Sequence, residues 1–188
     1  MDLSAAYVAL LTAVGALRLV EMRISRRRQR ALAARGVARA VEPRFPLMVA
    51  LHVSILAGSA LEVWYGNRPL HPALAAPMLA LVALANGLRF WVIRTLGPHW
   101  NVHVMGSLKL GVVSSGPYRF IRHPNYVAVW VELLALPLIH TAWVTALVGS
   151  VLHATVLRGR LAVEDPILLR DPGYRAAMGG KPRFIPGW

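Results

Sequence analysis

Two clusters of side chains in this sequence have the types and spacing for chemistry. The first is the run Gly116-Pro117-Tyr118-Arg119-Phe120-Ile121-Arg122-His123-Pro124-Asn125-Tyr126. Gly116-Pro117 marks a turn. His123 is biased out of the helical region because a proline follows it, and Pro124 suits the first turn of a helix. Arg119, Arg122 and His123 therefore gather at a helix start, where free N–H groups and the helix dipole favour an anionic group. Tyr118 and Tyr126 add aromatic surface and hydroxyls. The set suits a zwitterionic, adenine-bearing ligand; basic and aromatic anchoring at a membrane interface accounts for the same residues. The second cluster is Arg160 with Glu164, spaced i, i+4 on one helix face. A surface ion pair worth about 0.3–0.5 kcal/mol explains that spacing equally well. Pro166 follows and is expected to end or kink the helix.

The elements that must position these clusters are apolar. Of 188 residues, 56% are hydrophobic and 15% charged, too little charge to cover a soluble surface. An apolar layer of roughly 30 Å takes about 20 residues of helix. Five stretches qualify: residues 3–20, 45–65, 73–96, 126–138 and 141–157. The fourth is short for a full crossing, so four spans is the fallback. The first resembles a leader, but it lacks a basic start and runs into arginines, so it reads as a retained helix. The fold class expected is all-α, a single polytopic membrane domain over residues 1–188. Residues 1–72 supply N-terminal helices and a basic loop, and 73–188 the core that carries the chemistry.

The net charge is +13, and the basic residues flank the apolar runs. That placement fits lipid headgroups and membrane orientation, not a nucleic-acid face. Arg23, Arg26, Arg27, Arg28, Arg30, Arg35, Arg39 and Arg44 follow the first helix. Lys109, Arg119 and Arg122 follow the third, and Arg158, Arg160, Arg170, Arg175, Lys181 and Arg183 the fifth. These three regions are expected in the cytosol, with the N-terminus outside. Trp64, Tyr65, Trp91, Trp100 and Trp188 suit interfacial positions. The two polar segments, 97–125 and the tail after Arg158, then share one side and should build the site together. Glu132, inside the fourth helix, needs a partner or a cavity; His140, His153 and Asn101 are candidates for pairing. It reads either as a polar group in a substrate pocket or as a bond between helices. Glu62 reads as solvated near the outer end of the second helix. The absence of cysteine excludes thiolate chemistry and disulfides. The seven histidines show no ligand spacing with carboxylates, so no metal site is expected.

The ordered set Gly116-Pro117-Tyr118, Arg122-His123-Pro124-Asn125-Tyr126, a helical hairpin, and Arg160 through Glu164-Asp165 resembles the isoprenylcysteine carboxyl methyltransferase-like family of membrane methyltransferases. The resemblance covers roughly residues 96–169, with a weaker tail around Tyr174 and residues 183–186. It implies S-adenosyl-L-methionine as cofactor, held by Tyr118, Arg119, Arg122, His123, Pro124, Asn125 and Tyr126. It places Arg160 and Glu164 at the methyl-transfer centre. It implies a lipophilic acceptor entering from the bilayer and methylated on a carboxylate, enol or phenol oxygen. Asp165, where a second Glu is common, and Met178, where a tyrosine is expected, depart from the pattern. Residues 96–111 resemble a bacterial subset associated with type III polyketide products, and Trp100 and Asn101 join Glu132 as candidates for the acceptor pocket; a helix-end turn accounts for Gly97, Trp100 and Asn101 equally well. Phospholipid N-methyltransferases share the cofactor and a similar tail. Nicotinamide-dependent membrane reductases resemble the C-terminal layout but are usually much longer chains. A non-enzymatic membrane scaffold is the remaining alternative. The oligomeric state is not legible in the sequence, and a bacterial inner membrane is the expected location.

Overall fold

A computed structural model describes residues 3–106 and 111–185; Lys109, Pro186 and Trp188 lie outside them. The chain is all-α, and the described residues form six α-helices: α1 Leu3–Ala33, α2 Phe45–Tyr65, α3 Pro72–Leu96, α4 Pro124–Leu138, α5 Trp143–Leu169 and α6 Pro172–Met178. A two-residue ribbon pairs β1 Ala38–Arg39 antiparallel with β2 Met105–Gly106. Prolines in the first turn open α2, α3, α4 and α6, where the missing N–H costs nothing. Asp171 caps α6, accepting from Gly173 N at 2.8 Å and Tyr174 N at 3.2 Å.

Four helices (α1, α2, α3 and α5) are long and apolar enough to cross a membrane. At 1.5 Å per residue, the 15-residue α4 reaches only about 22 Å. The five expected spans are therefore four long helices and one short one. Two helices also outrun their expected ends. The arginine-rich stretch after residue 20 continues α1 to Ala33, because Arg, Ala and Gln are good helix formers whatever their polarity. Much of the expected basic loop is thus helix. Likewise α5 passes through Pro166 to Leu169. Pro166 and Ala162, whose carbonyl loses its helical partner, are both exposed, so water can satisfy the oxygen that the proline leaves free.

The bundle core joins Tyr7, Leu11 and Val14 of α1 to Val63 of α2, Val82 of α3 and Leu136 of α4. The Tyr7 hydroxyl donates to the Leu136 carbonyl at 2.9 Å. A second cluster packs Leu51 and Ile55 of α2 on Leu133 of α4 and Val156 of α5. Glu62 is not solvated as expected. It accepts from Val144 N, Thr145 N and Thr145 Oγ1, and pairs with Arg68 at 2.9 Å. A carboxylate there takes up the free N–H groups and positive dipole end of α5.

Charged groups also hold α1, α3 and α4 together inside the apolar layer. Arg18 pairs with Glu21 at 2.6 Å and with Glu132 at 2.9 Å, and donates to Asn86 at 2.7 Å. Arg89 pairs with Glu21 at 2.6 Å. Glu132 thus finds none of the partners expected for it. Arg18 reaches it from within the first expected span, where α1 packs against α4. Two arginines and two glutamates make this set neutral, as burial in hydrocarbon requires. Removing one partner of such a set strands a charge and costs about 3–5 kcal/mol. Glu132→Ala should lower the unfolding free energy in detergent by that order. The double change Arg18→Met with Glu132→Met should recover most of the loss, since Glu21 keeps Arg89. Equal losses in the single and double variants would show that the pair is not coupled.

Candidate functional site

The site forms around the C-terminal half of α5. Arg160 lies seventeen residues beyond Trp143, about 26 Å along the helix axis. Its side chain is 10% exposed, so every N–H needs a partner. Arg160 Nε donates to the Tyr126 hydroxyl at 2.6 Å, Nη2 to the Val102 carbonyl at 2.6 Å, and Nη1 pairs with Glu42 at 3.1 Å. The Tyr126 hydroxyl in turn donates to Glu164 Oε2. Glu164 stands 3.8 Å from Arg160 Nε across the expected i, i+4 spacing. Arg160, Tyr126 and Glu164 are therefore one hydrogen-bonded unit, with α4 and α5 locked in register by it.

A second unit fixes the start of α4. His123 is buried, and its Nε2 lies 2.7 Å from Asp165 Oδ1. Arg183 closes on the other carboxylate oxygen of Asp165 at 2.8 Å. The backbone adds two bonds, Arg122 N to the Pro182 carbonyl and His123 N to the Arg183 carbonyl. The C-terminal tail is thereby laid across the helix start. Gly116 has φ +56, and a Cβ there would overlap the Thr95 side chain, so only glycine lets this turn sit on α3.

Both units border one cavity of about 660 Å³, within the size range of ligand pockets. Of the residues singled out in the sequence, Trp100, Asn101, Tyr118, Arg122, His123, Asn125, Tyr126, Arg160 and Glu164 line it. Three do not. Arg119 is exposed, with its guanidinium over Phe120. Pro124 is buried in the helix start, and Glu132 belongs to the charge set within the bundle. Among the buried polar atoms of the lining that lack a protein partner are two donors near the polar end, Arg122 Nε and Asn101 Nδ2. An anionic or carbonyl oxygen in the cavity would satisfy them. Burial, followed by the charge of Glu164, pushes the Tyr118 phenol well up, and the same two causes raise Tyr174 to about 12. Both hydroxyls stay protonated at neutral pH and can donate. Among the described residues, no group of three or more His, Asp or Glu side chains is placed to hold a metal ion.

Sequence reasoning missed Glu42 and underrated Asp165. Glu42 accepts from Val104 N at 2.9 Å and lies 3.2 Å from His103 Nδ1, besides pairing with Arg160. A signal existed: it is the one acid between Arg23 and Arg44, in a stretch where eight arginines would otherwise repel. The ribbon of β1 and β2 carries it to Arg160.

Residues 78–170 match the isoprenylcysteine carboxyl methyltransferase (ICMT) family. The uncharacterized protein YpbQ of Bacillus subtilis strain 168 is 29% identical over 152 residues, covering 80% of this chain and 89% of YpbQ. An uncharacterized protein of Haemophilus influenzae is 28% identical over 151 residues, 80% of this chain and 87% of its own. Among solved structures, the fold resembles that of the eukaryotic intramembrane Ras methyltransferase ICMT, with a TM-score of 0.54 at 23% identity. That match covers 72% of this chain and 50% of the enzyme, so the chain spans half the enzyme's length.

Burial alone would raise the Glu42 carboxyl. The hydrogen bond with His103, the charge of Arg160 and the Val104 N–H outweigh it and hold the group below its usual 4.5. A depressed carboxyl contributes its stability in full above the ordinary value and loses it as pH falls through the depressed one. The melting temperature of the detergent-solubilised protein should therefore drop more steeply below pH 4.5 than that of Glu42→Gln. Parallel profiles would show that Glu42 is not held by these partners.

Proposed function

Because residues 78–170 match the isoprenylcysteine carboxyl methyltransferase family, we propose that this integral membrane protein methylates an oxygen of a lipophilic acceptor, with S-adenosyl-L-methionine as donor. The observation that carries the reading is the Arg160–Tyr126–Glu164 unit on the wall of a cavity lined both by polar loops and by membrane helices. When bound, the cofactor supplies a methyl group on a sulfonium, already a good leaving group, so the protein's work is alignment and charge management.

The residues present fit such a ligand. Arg122 offers an unpartnered, buried Nε to a carboxylate. Tyr118 and Tyr174 offer aromatic faces and protonated hydroxyls from the loop and the tail. His123 is a positioning residue in this reading: gripped by Asp165, and with its ring stacked on Tyr126 at 5.3 Å, it fixes the tyrosine that joins Arg160 to Glu164. Arg119 and Pro124 act outside the cavity, the first at the interface and the second by starting α4.

The acceptor oxygen arrives beside Arg160. A carboxylate comes ionised and needs only the guanidinium. An enol or phenol gives its proton to Glu164, whose carboxylate is 20% exposed while Glu42, on the other side of Arg160, is 5% exposed. Glu42 therefore orients and neutralises Arg160, which leaves Glu164 open to the acceptor. Since Glu42 reaches Arg160 from the N-terminal part, residues 1–188 act as one unit despite the division near residue 72. The arginine-rich side of the bundle faces the cytosol in this proposal, with the N-terminus outside.

The test is transfer of labelled methyl from S-adenosyl-L-methionine into a membrane lipid extract by protein in nanodiscs. Glu164→Gln and Arg160→Ala should each lower incorporation by about 10²-fold or more while the protein still melts cooperatively. Near-normal transfer in either variant would remove that residue from the centre. Base-labile incorporation would indicate an ester, and incorporation on an amine would contradict oxygen as the acceptor atom.

A further inference from the structure

The cavity does not stop at Arg160. Its lining continues onto Met48 and His52 of α2, Val129 of α4, and His153, Val156 and Leu157 of α5. His153, Leu157, Arg160 and Glu164 fall at i, i+4, i+7 and i+11, one face of α5. Seven residues separate His153 from Arg160, about 10 Å of helix rise. The walls between them are aliphatic, and the far end is polar.

That far end is unsatisfied. His153 is 3% exposed, and neither ring nitrogen has a hydrogen-bond partner. Its ring stands edge-on to His52 at 5.6 Å and to Trp130 at 6.3 Å. A buried imidazole with nothing to bond is costly unless a ligand completes it. His52 helps define what that ligand is. Its Nδ1 lies 2.7 Å from the Met48 carbonyl. A carbonyl only accepts, so Nδ1 carries the hydrogen and Nε2 is left as an acceptor. A neutral His153 has one N–H and one lone pair. A hydroxyl fits both rings, donating to His52 Nε2 and accepting from the His153 N–H. A ketone or ether has no hydrogen to donate and leaves His52 unmet.

We infer that His52 and His153 form a hydroxyl-recognition station in the acceptor chamber, so the acceptor carries a second hydroxyl about two helical turns from the oxygen that is methylated. The inference rests on the methyltransferase reading and adds to it the class of acceptor, an amphipathic lipophile that is polar at two points with an apolar stretch between.

The experiment measures binding by the full-length protein in nanodiscs, first of S-adenosylhomocysteine and then, with that product bound, of matched probes. One pair is a long-chain fatty acid and its mid-chain hydroxy analogue, with the keto analogue as control. The other is a long-chain alkylphenol and its analogue hydroxylated on the alkyl chain, about 10 Å from the phenol oxygen. The hydroxylated member of at least one pair should bind about tenfold tighter or more than its partner, and the keto analogue should not. His153→Phe keeps the ring and its packing and should bring the preference to near unity, with S-adenosylhomocysteine affinity unchanged. His52→Phe reads the same preference should His153→Phe fail to fold. Equal affinities within both pairs, no binding by any hydroxylated probe, or a preference that survives in both variants would overturn the station while the cofactor result stands. Failure of S-adenosylhomocysteine to bind would overturn the methyltransferase reading itself, and the station with it.

Discussion

Arg160 is a guanidinium at the edge of hydrocarbon, where α5 has run about 26 Å from its start, and it must be neutralised in place. The partners come from far along the chain: Glu42 from the link between α1 and α2, the Val102 carbonyl from the segment after α3, Tyr126 from α4 and Glu164 from α5 itself. Much else follows from that demand. The β1–β2 ribbon brings the first link against the segment after α3, and the Ala40 N–H bonds the Val104 carbonyl beside Glu42. The cavity is the space these converging segments enclose. A site made this way is specific in geometry, because four separate parts of the chain must arrive for one charge to be satisfied.

Below it lies a second neutral set, Arg18, Glu21, Arg89 and Glu132, which does for the bundle what Arg160 does for the site. The two are joined. Arg89 lines the cavity and donates to Asn125 at 3.3 Å, one residue before Tyr126. The short α4 is thus gripped at its first turn by α3 and by the tail, and further along by α1. That grip explains how a helix too short to cross an apolar layer alone keeps a defined position.

The span 45–65 was legible to the residue, and α3 and α4 nearly so, because apolar runs bounded by prolines and glycines state their own ends. The ends of α1 and α5 were not legible. A polar arginine-rich stretch reads as loop when only hydropathy is weighed, although its residues are good helix formers, and Pro166 reads as a stop although a water-facing position tolerates it. In the site, spacing alone paired Arg160 with Glu164, and the motif around His123 pointed to the helix start. Glu42 and the His123–Asp165–Arg183 clamp were hidden because their partners are 118, 42 and 18 residues apart in the chain. Glu132 meets Arg18, 114 residues away, rather than His140, His153 or Asn101 for a related reason: its partner depends on which face of α1 packs against α4. The pairing of His52 with His153 had no sequence signal, since it depends on the rotation of α2 against α5.

The central claim is that the cavity beside Arg160 accommodates a sulfonium methyl donor. Isothermal titration of the purified protein with S-adenosylhomocysteine, and separately with a reduced nicotinamide, tests it most directly. Micromolar binding of the first alone, weakened by His123→Ala, is the result this account predicts. Binding of the nicotinamide, or of neither ligand by protein that melts cooperatively, would contradict it.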